Sequence, residues 1–307
     1  MPSERPLIEE STVLHDGPWV HRDVNANGIR LHVAEAGAGP LVVLLHGFPE
    51  FWWSWRHQLS GLADAGIHVV APDLRGYGAS DKPPRGYDAP TLAADIAGLI
   101  RALGVGQAVV VGHDWGATVG WSMAAAYPAI VSRLVVLSGP HPLRWLPALR
   151  GDGDQRRASG HLVRFQVPWA PERWLVENDA QNVADLLHRW GGPGFPDALA
   201  ERRYRDAMQI LHVPNRALEY YRWSMRSLLR RSDGRPYRRM MQEPITVPTL
   251  ALHGELDSCV VPNTAQGSGR YVSADYEWRL LKGVGHFPQE EAPDLITGEI
   301  LRWCKSG

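Results

Sequence analysis

Short apolar runs alternate with longer, amphipathic stretches along most of the chain. Seven such runs are typical of buried strands, at residues 29–34, 41–45, 68–71, 108–111, 134–137, 249–252 and 278–281. Because these runs are apolar on both faces, they indicate strands that are covered on both sides by helices. The pattern therefore predicts an α/β fold with a mostly parallel sheet, in which functional residues lie just beyond the carboxyl ends of the strands.

The strand pattern is interrupted between about residues 141 and 243. This stretch is rich in Arg, Trp and Pro and has helical periodicity. We expect residues 1–140 and 244–307 to form a core domain and residues 141–243 a helical cap domain. Residues 141–240 contain 18 Arg, no Lys and 11 acidic residues, a net charge of +7, whereas the whole chain carries −1. This asymmetry indicates either solvated surface or a basic layer over an acidic one, and identifies no ligand.

The composition limits the classes of function. A chain of 307 residues with 44% hydrophobic content can form one large domain or a core with an insertion. The net charge of −1 indicates neither nucleic acid nor membrane as a partner. Two cysteines form no disulfide framework and the first residues lack a signal-peptide pattern, so we expect a cytoplasmic protein. No phosphate-binding loop or metal-ligand spacing is found, so we expect no cofactor and no metal.

An acidic residue, Asp114, stands where a strand is expected to turn sharply into a helix. It follows the apolar run at residues 108–111 and precedes a stretch with helical character. Gly112, Gly116 and Ala117 are close to it in sequence. Such a strand–turn–helix pattern with small residues holds a nucleophile at the carboxyl edge of a sheet. The usual occupant is Ser, whereas a carboxylate attacks carbon directly and forms an ester. Asp114 is therefore the predicted nucleophile.

Two further residues follow later strands in the order nucleophile, acid, histidine. His286 lies in a glycine-flanked loop after the last strand, and Asp257 follows the preceding strand. This order predicts that Asp257 orients His286 and stabilises its imidazolium form. The backbone N–H groups of Phe48, in the loop after residues 41–45, and of Trp115 are expected to form an oxyanion hole.

Three motifs resemble the epoxide hydrolase family of the α/β-hydrolase fold, and the resemblance covers about residues 24–303. They are HGFPEFWWSWR at residues 46–56, DLRGYGASDKP at residues 73–83 and GHDWG at residues 112–116. The resemblance implies that an epoxide is converted to a vicinal diol through a covalent hydroxyalkyl ester on Asp114. It also implies two cap tyrosines whose phenols bind the epoxide oxygen and stabilise the alkoxide.

The cap residues that match this family pattern are Tyr221 and His161. Tyr221 precedes Arg in EYYR at residues 219–222 and lies on an apolar stripe at helical spacing. The other family tyrosine usually stands five residues before the Gln of a Phe-Gln-x-Pro motif, and here that position is His161. The chain thus departs from the family pattern, although a histidine N–H can still donate a hydrogen bond. Tyr204 and Tyr237 are alternatives for the second donor.

The substrate contacts expected from these motifs are Phe48, Trp52 and Trp115, which favour a small apolar epoxide with water as the second reactant. A haloalkane dehalogenase with the same triad is an alternative. Its family resembles this chain at Trp115 but commonly has Asn at the position of Phe48. The pattern of haloacetate dehalogenases has Arg directly after the nucleophile. This chain has Trp115 there and so differs from that pattern. A non-catalytic ligand receptor on the same fold is a further alternative, and a homodimer is left open.

Overall fold

The computed structural model describes residues 8–229 and 231–305, without the side chains of residues 229 and 231–233. Within this part of the chain, the eight strands are β1 (Val20–Ala26), β2 (Ile29–Ala36), β3 (Leu41–Leu45), β4 (His68–Pro72), β5 (Ala108–His113), β6 (Val131–Leu137), β7 (Thr249–Gly254) and β8 (Tyr276–Leu281). They form one sheet in the order β1-β2-β4-β3-β5-β6-β7-β8. β2 runs antiparallel to β1 and to β4, and the other neighbouring pairs are parallel. This confirms the predicted α/β-hydrolase fold.

The seven predicted strands are all present, and the central ones contain only buried residues. β3, β5 and β7 are buried along their whole length because their side chains are apolar on both faces of the sheet. The sequence did not reveal β1, an edge strand in which exposed polar residues outnumber the buried Val24 and Ala26. An edge strand needs apolar side chains on one face only, so β1 has no continuous apolar run.

Helices flank the sheet and fill the connections. Among the described residues they are α1 (Arg56–Asp64), α2 (Ala89–Ala102), α3 (Trp115–Ala126), α4 (Trp145–Gly151), α5 (Gly153–Ala158), α6 (Gly160–Arg164), α7 (Ala170–Trp190), α8 (Ala198–Met208), α9 (Val213–Leu229), α10 (Arg231–Met240), α11 (Pro262–Gln266), α12 (Pro288–Glu291) and α13 (Pro293–Lys305). Short 3-10 helices lie at Glu10–Val13, Trp52–Trp55, Pro142–Arg144 and Gly267–Tyr271. α1 packs against α13, and α2 against α3.

The chain between β6 and β7 is helical, as its periodicity indicated. It contains α4 to α10, and no strand is found in its described residues. α7 is interrupted at residues 177–180, where Asn178, Asp179 and Ala180 have left-handed backbone angles. The division into a core domain and a cap domain at residues 141 and 243 stays a prediction. No helix in the described residues has both the length and the apolar character needed to cross a bilayer.

Candidate active site

Asp114 occupies a sharp turn between β5 and α3. Its φ of 49° and ψ of −110° lie outside the ordinary helical and extended regions. Small residues close to Asp114 in the sequence are needed for this turn of the backbone. A Cβ atom on Gly112 would collide with the carbonyl of Gly116, and one on Gly116 would collide with the carbonyl of Leu45. The strand and the helix therefore come close together, and the Asp114 side chain is held at the carboxyl edge of the sheet, beside the loop after β3.

The structure brings Asp114, Asp257 and His286 together. Nδ1 of His286 donates a hydrogen bond of 2.8 Å to Oδ2 of Asp257, and Nε2 lies 3.7 Å from Oδ2 of Asp114. Oδ1 of Asp257 accepts from the backbone N–H groups of Cys259 at 2.9 Å and Val260 at 2.8 Å. Asp257 and His286 are fully buried, whereas the Asp114 side chain is 14% exposed. Asp257 thus orients an imidazole whose other nitrogen faces Asp114.

The two carboxylates control the charge of this histidine. Burial lowers the pKa of His286, but the charges and hydrogen bonds of Asp257 and Asp114 raise it overall to about 10. Burial raises the pKa of Asp114, but its contact with the His286 imidazolium lowers it overall. In the free protein the histidine is therefore an imidazolium between two carboxylates. Its pKa depends on the charge of Asp114, because that carboxylate is one of the two that raise it.

A backbone N–H group binds the other oxygen of Asp114. The N–H of Phe48 donates to Oδ1 of Asp114 at 3.0 Å, and the Phe48–Pro49 peptide bond is cis. Trp115 is the first residue of α3 and directly follows Asp114. Among the hydrogen bonds of the described residues, none joins the Trp115 backbone N–H to this carboxylate. Its predicted place in an oxyanion hole therefore rests on its position at the start of the helix.

A cavity of about 320 Å³ lies over Asp114. At its reactive end it is lined by Asp114, Trp115, His161 and Tyr221. The side chains that line the rest are mostly apolar and come largely from the helical insertion, among them Leu143, Trp145, Leu146, Leu149, Leu162, Trp223 and Leu228. A ligand of this size that lies against Asp114 would be surrounded by apolar groups and by few polar ones.

Tyr221 of α9 extends into this cavity, whereas its neighbour Tyr220 does not. The Tyr221 ring lies edge-on to Trp115, with 4.9 Å between centroids, and to Phe48, with 5.3 Å. Burial, followed by the charge of Asp114, raises the pKa of Tyr221 well above its usual value, so the phenol keeps its proton. Tyr220 instead donates its hydroxyl to the carbonyl of Arg75 at 2.7 Å. This arrangement leaves Tyr221 as an O–H donor beside Asp114.

His161 lies on α6 and lines the same end of the cavity. Its ring packs against Trp190, with 5.1 Å between centroids, and against Phe165, with 5.7 Å. Nδ1 lies 3.0 Å from the carbonyl oxygen of Ala158. Burial lowers the pKa of His161 to about 4, so the ring is neutral at neutral pH. The structure thus brings His161 and Tyr221 together, with 5.8 Å between their ring centroids.

The alternative tyrosine donors have other partners. Tyr204 donates its hydroxyl to the buried carboxylate of Glu290. Tyr237 lines the cavity, but its hydroxyl pairs with that of Ser122 at 2.9 Å. Neither phenol is therefore a free donor toward Asp114, and Tyr221 remains the tyrosine at the reactive end.

The structure does not place Trp52 at the cavity, contrary to the predicted substrate contact. Its indole N–H donates to the carbonyl of Val13 at 2.8 Å. Its ring packs edge-on against Trp19, His21 and His32, beside β1 and β2. The reason is the 3-10 helix at Trp52–Trp55, which directs this side chain into the core. Trp52 is therefore dropped from the proposed substrate contacts.

One polar network beside the site was not predicted from the sequence. Nδ1 of His113 lies 2.8 Å from Oε2 of Glu50, and its Nε2 lies 2.7 Å from the carbonyl oxygen of His286. Gln289 donates to the other carboxylate oxygen of Glu50 at 2.8 Å. Nδ1 of His113 also lies 3.3 Å from the side-chain nitrogen of Gln289, so Glu50, His113 and Gln289 form one buried hydrogen-bonded group behind the site. The only signal in the sequence was a polar residue at the end of an apolar strand.

The described residues offer no group of three or more His, Cys, Asp or Glu side chains that could hold a metal ion. The two cysteines, Cys259 and Cys304, are free thiols. Cys259 is buried next to Asp257, and burial raises its pKa well above the usual value. The protonated thiol of Cys259 therefore lines the cavity together with the carboxyl, imidazole and phenol groups described above.

Comparisons with known proteins agree with this geometry. A family model described as alpha/beta hydrolase fold matches residues 40–293. The AB hydrolase superfamily protein YfhM of Bacillus subtilis is 34% identical over 92% of this chain and 97% of its own length. Epoxide hydrolase A of Mycobacterium tuberculosis is 31% identical over 94% of this chain and 98% of its own. A mutant epoxide hydrolase from Bacillus megaterium, complexed with its product (R)-3-[1]naphthyloxy-propane-1,2-diol, superposes with a TM-score of 0.82 at 29% identity, covering 93% of this chain and 100% of that one.

Proposed function

Because this chain belongs to the epoxide hydrolase family of the α/β-hydrolase fold, we propose that it converts an apolar epoxide to a vicinal diol through an ester on Asp114. The observation that carries this proposal is the position of the Asp114 carboxylate. It lies 3.7 Å from Nε2 of His286 and lines the apolar cavity together with the Tyr221 phenol. The aryl ether diol that is the product of the Bacillus megaterium relative supports an aromatic or similarly apolar substrate.

In the first step Asp114 attacks one epoxide carbon from the side opposite the C–O bond. The new C–O bond joins this carbon to Asp114, and the old bond to the ring oxygen breaks. The developing alkoxide takes the proton of Tyr221, whose O–H lies on the cap side of the cavity. The result is a hydroxyalkyl ester of Asp114 and a Tyr221 phenolate. Trp115 lines the apolar wall beside Asp114, whereas the buried Phe48 ring packs against Tyr221 and is not among the lining residues, contrary to its predicted substrate contact. His161 lies beside Tyr221 on the cap side of the cavity.

In the second step His286 activates water. Esterification removes the negative charge of Asp114, so the pKa of His286 falls, and the ring releases its proton to solvent and can then act as a base. Water attacks the carbonyl carbon of the ester while His286 takes a proton from it. The N–H of Phe48, already bound to Oδ1 of Asp114, stabilises the tetrahedral oxyanion together with the N–H of Trp115.

Collapse of this intermediate restores the protein. The bond between the acyl carbon and the ester oxygen, which was an oxygen of Asp114, breaks, and this oxygen takes the proton from His286 to give the diol. The Asp114 carboxyl group then returns a proton to the Tyr221 phenolate, and His286 regains from solvent the proton that it released. The sum is epoxide plus water to diol. Dividing the reaction in this way uses one group, Asp114, first as a nucleophile and then as an acyl carrier.

Single turnover in isotopically labelled water tests the covalent path. Labelled oxygen is expected to enter Asp114 first and to reach the diol only in later turnovers. Immediate incorporation of solvent oxygen into the diol would contradict the ester. In a second experiment, His286→Gln should accumulate the ester, seen as a mass increase equal to the substrate. Asp114→Asn should show no mass increase with the same epoxide and serves as the matched control.

A specific observation also favours haloalkane dehalogenation as the second candidate function. The indole N–H of Trp115 is buried beside Asp114 and near the Tyr221 hydroxyl, and it makes no hydrogen bond of full geometry among the described residues. Such a donor can bind a halide that leaves when a carboxylate attacks carbon. Release of bromide from dibromoethane without diol formation from styrene oxide would support this function instead. The opposite result supports the epoxide hydrolase.

Three broader expectations from the sequence are kept as proposals. The helices between β6 and β7 form a cap domain over the site, with boundaries at residues 141 and 243. The free thiols of Cys259 and Cys304 are compatible with a reducing, cytoplasmic location. Association as a homodimer is left for measurement by light scattering.

A further inference from the structure

Only one of the two cap side chains beside Asp114 is set to donate a hydrogen bond. The Tyr221 phenol keeps its proton and lies among Trp115, Phe48 and Phe165. A single phenol can bind an epoxide oxygen, because that oxygen only accepts hydrogen bonds. The second residue, His161, differs from a phenol because one of its ring nitrogens already has a partner.

The protonated nitrogen of His161 is assigned by the Ala158 carbonyl. Nδ1 lies 3.0 Å from that oxygen, and a carbonyl oxygen can only accept. The proton of the neutral ring therefore lies on Nδ1 and points away from the cavity. Nε2 is left with a lone pair, and it is the ring nitrogen available to the cavity that His161 lines. The neutral ring thus presents an acceptor to the substrate.

The surroundings keep this ring in place and neutral. Three aromatic side chains pack against it, those of Phe165, Trp190 and Tyr221. A rotated ring would lose the bond to Ala158 and disturb these contacts. Burial is the main cause of the low pKa of His161, about 4. Asp114 acts in the opposite direction, whereas the charges of His286 and Arg164 lower the pKa further.

We infer that this site is built for an epoxide that carries its own hydrogen-bond donor beside the ring, an epoxy alcohol, whose hydroxyl donates to Nε2 of His161. This inference rests on the proposed function and names its substrate class. A plain epoxide would bring the lone pairs of its oxygen toward the lone pair of Nε2, which is unfavourable. In an epoxy alcohol, the ring oxygen accepts from Tyr221 while the adjacent hydroxyl donates to His161. A buried acceptor of this kind selects against ligands that leave it unpaired.

A matched substrate pair tests the inference on the unmodified protein. Phenylglycidol carries the hydroxyl, and its methyl ether has the same epoxide and aryl group without the donor. Diol formation from each is measured at neutral pH as kcat/KM. We expect the alcohol to be favoured by about tenfold or more, the effect of one hydrogen bond to a buried partner. A ratio near one, with diol formed from both, would overturn the inference and leave the proposed function intact.

Two variants assign the preference to His161. His161→Phe removes the acceptor and should bring the ratio close to one, mainly by slowing the alcohol. His161→Tyr replaces the acceptor with a donor and should improve the methyl ether relative to the alcohol. His188→Phe, on an exposed face of α7, is the matched control and should leave the ratio unchanged. An unchanged alcohol preference in folded His161→Phe would overturn the assignment, and circular dichroism verifies folding.

The remaining outcomes separate the inference from the function on which it rests. Absence of diol from both substrates would overturn the proposed function itself. A rate with the methyl ether that rises tenfold per pH unit as the pH is lowered from 7 to 5, with no rise for the alcohol, would show that His161 donates as an imidazolium. That result would overturn the inference while supporting both cap residues as donors.

Discussion

Replacing His113 with Phe removes the hydrogen-bond partner of two buried oxygen atoms at once. Its ring nitrogens lie 2.8 Å from Oε2 of Glu50 and 2.7 Å from the carbonyl oxygen of His286. The side chains of His113 and Glu50 are both 0% exposed. Leaving a buried polar atom without its hydrogen-bond partner costs about 1–3 kcal/mol, so the loss at two such atoms should be about 2–6 kcal/mol. Since a domain is stable by only about 5–15 kcal/mol, a loss of this size is a substantial part of the unfolding free energy.

A double-mutant cycle separates the pair from general damage to the core. Glu50→Leu alone leaves Nδ1 of His113 without its carboxylate partner, and it also removes the acceptor of Gln289. The double variant, His113→Phe with Glu50→Leu, removes both polar partners and should lose less unfolding free energy than the sum of the two single variants. We expect an interaction free energy of about 2–3 kcal/mol, at the upper end for residues in direct contact. Urea unfolding followed by circular dichroism, with linear extrapolation, measures each value.

An exposed pair of the same chemistry provides the control. Nε2 of His188 lies 2.9 Å from Oε2 of Glu201, but these side chains are 53% and 25% exposed. Solvent screening should limit the effect of His188→Phe to about 1 kcal/mol or less. The two pairs have nearly equal distances and differ mainly in burial. If His113→Phe lowers the free energy of unfolding by no more than His188→Phe does, burial does not strengthen the pair of His113 and Glu50, and the prediction is wrong.

The remaining predictions concern the steps and the pH dependence of the site. Tyr221→Phe should slow formation of the ester by about 100-fold, because one donor to the developing negative charge is lost. Hydrolysis of the ester should be unchanged, and stopped-flow fluorescence measures both steps. Slowing of hydrolysis alone would contradict this prediction. The pKa of His286 is raised to about 10 from 6.5, so its stabilising contribution is complete below pH 6.5 and is lost as the pH rises through 10. The Tm of the unmodified protein should therefore fall toward that of His286→Gln between pH 6.5 and 10, and a constant difference would count against it. The pKa of His161 is lowered to about 4 from 6.5, so the unfolded chain binds a proton between these values that the folded chain does not. Stability relative to His161→Phe should fall as the pH drops from 6.5 to 4, and parallel Tm curves would argue against a buried neutral ring.

The sheet could be predicted because its information is local. A strand that is buried on both faces needs a continuous apolar run, and β3 shows such a run from Leu41 to Leu45. The edge strand β1 lacks it, so its place next to β2 depends on pairing that no short window of sequence displays. Asp114 could be found for the same reason as β3, because the small residues that permit its turn lie within three positions of it.

The contacts that support the site are not local, and the sequence did not reveal them. Glu50 and His113 are 63 positions apart, and their pairing depends on the loop after β3 lying beside the end of β5. Trp52 follows the same loop and looks like a cavity residue in sequence, yet its ring is buried beside β1 and β2. Which way a side chain leaves a short 3-10 helix depends on what packs there, and that information lies in distant segments.

His161 shows a finer division between what a sequence and a structure can reveal. Comparison with a family pattern finds the position and the residue type, and a residue type with two ring nitrogens can donate or accept. The choice between these roles comes from one backbone carbonyl, that of Ala158, three positions earlier in the chain. That carbonyl binds Nδ1, and burial removes the charged form that could donate from both nitrogens. The change from a phenol to an imidazole therefore reverses the hydrogen-bonding role at this position. For this reason the type of reaction depends on Asp114 as the nucleophile, whereas the inferred substrate preference depends on which ring nitrogen of His161 carries the proton.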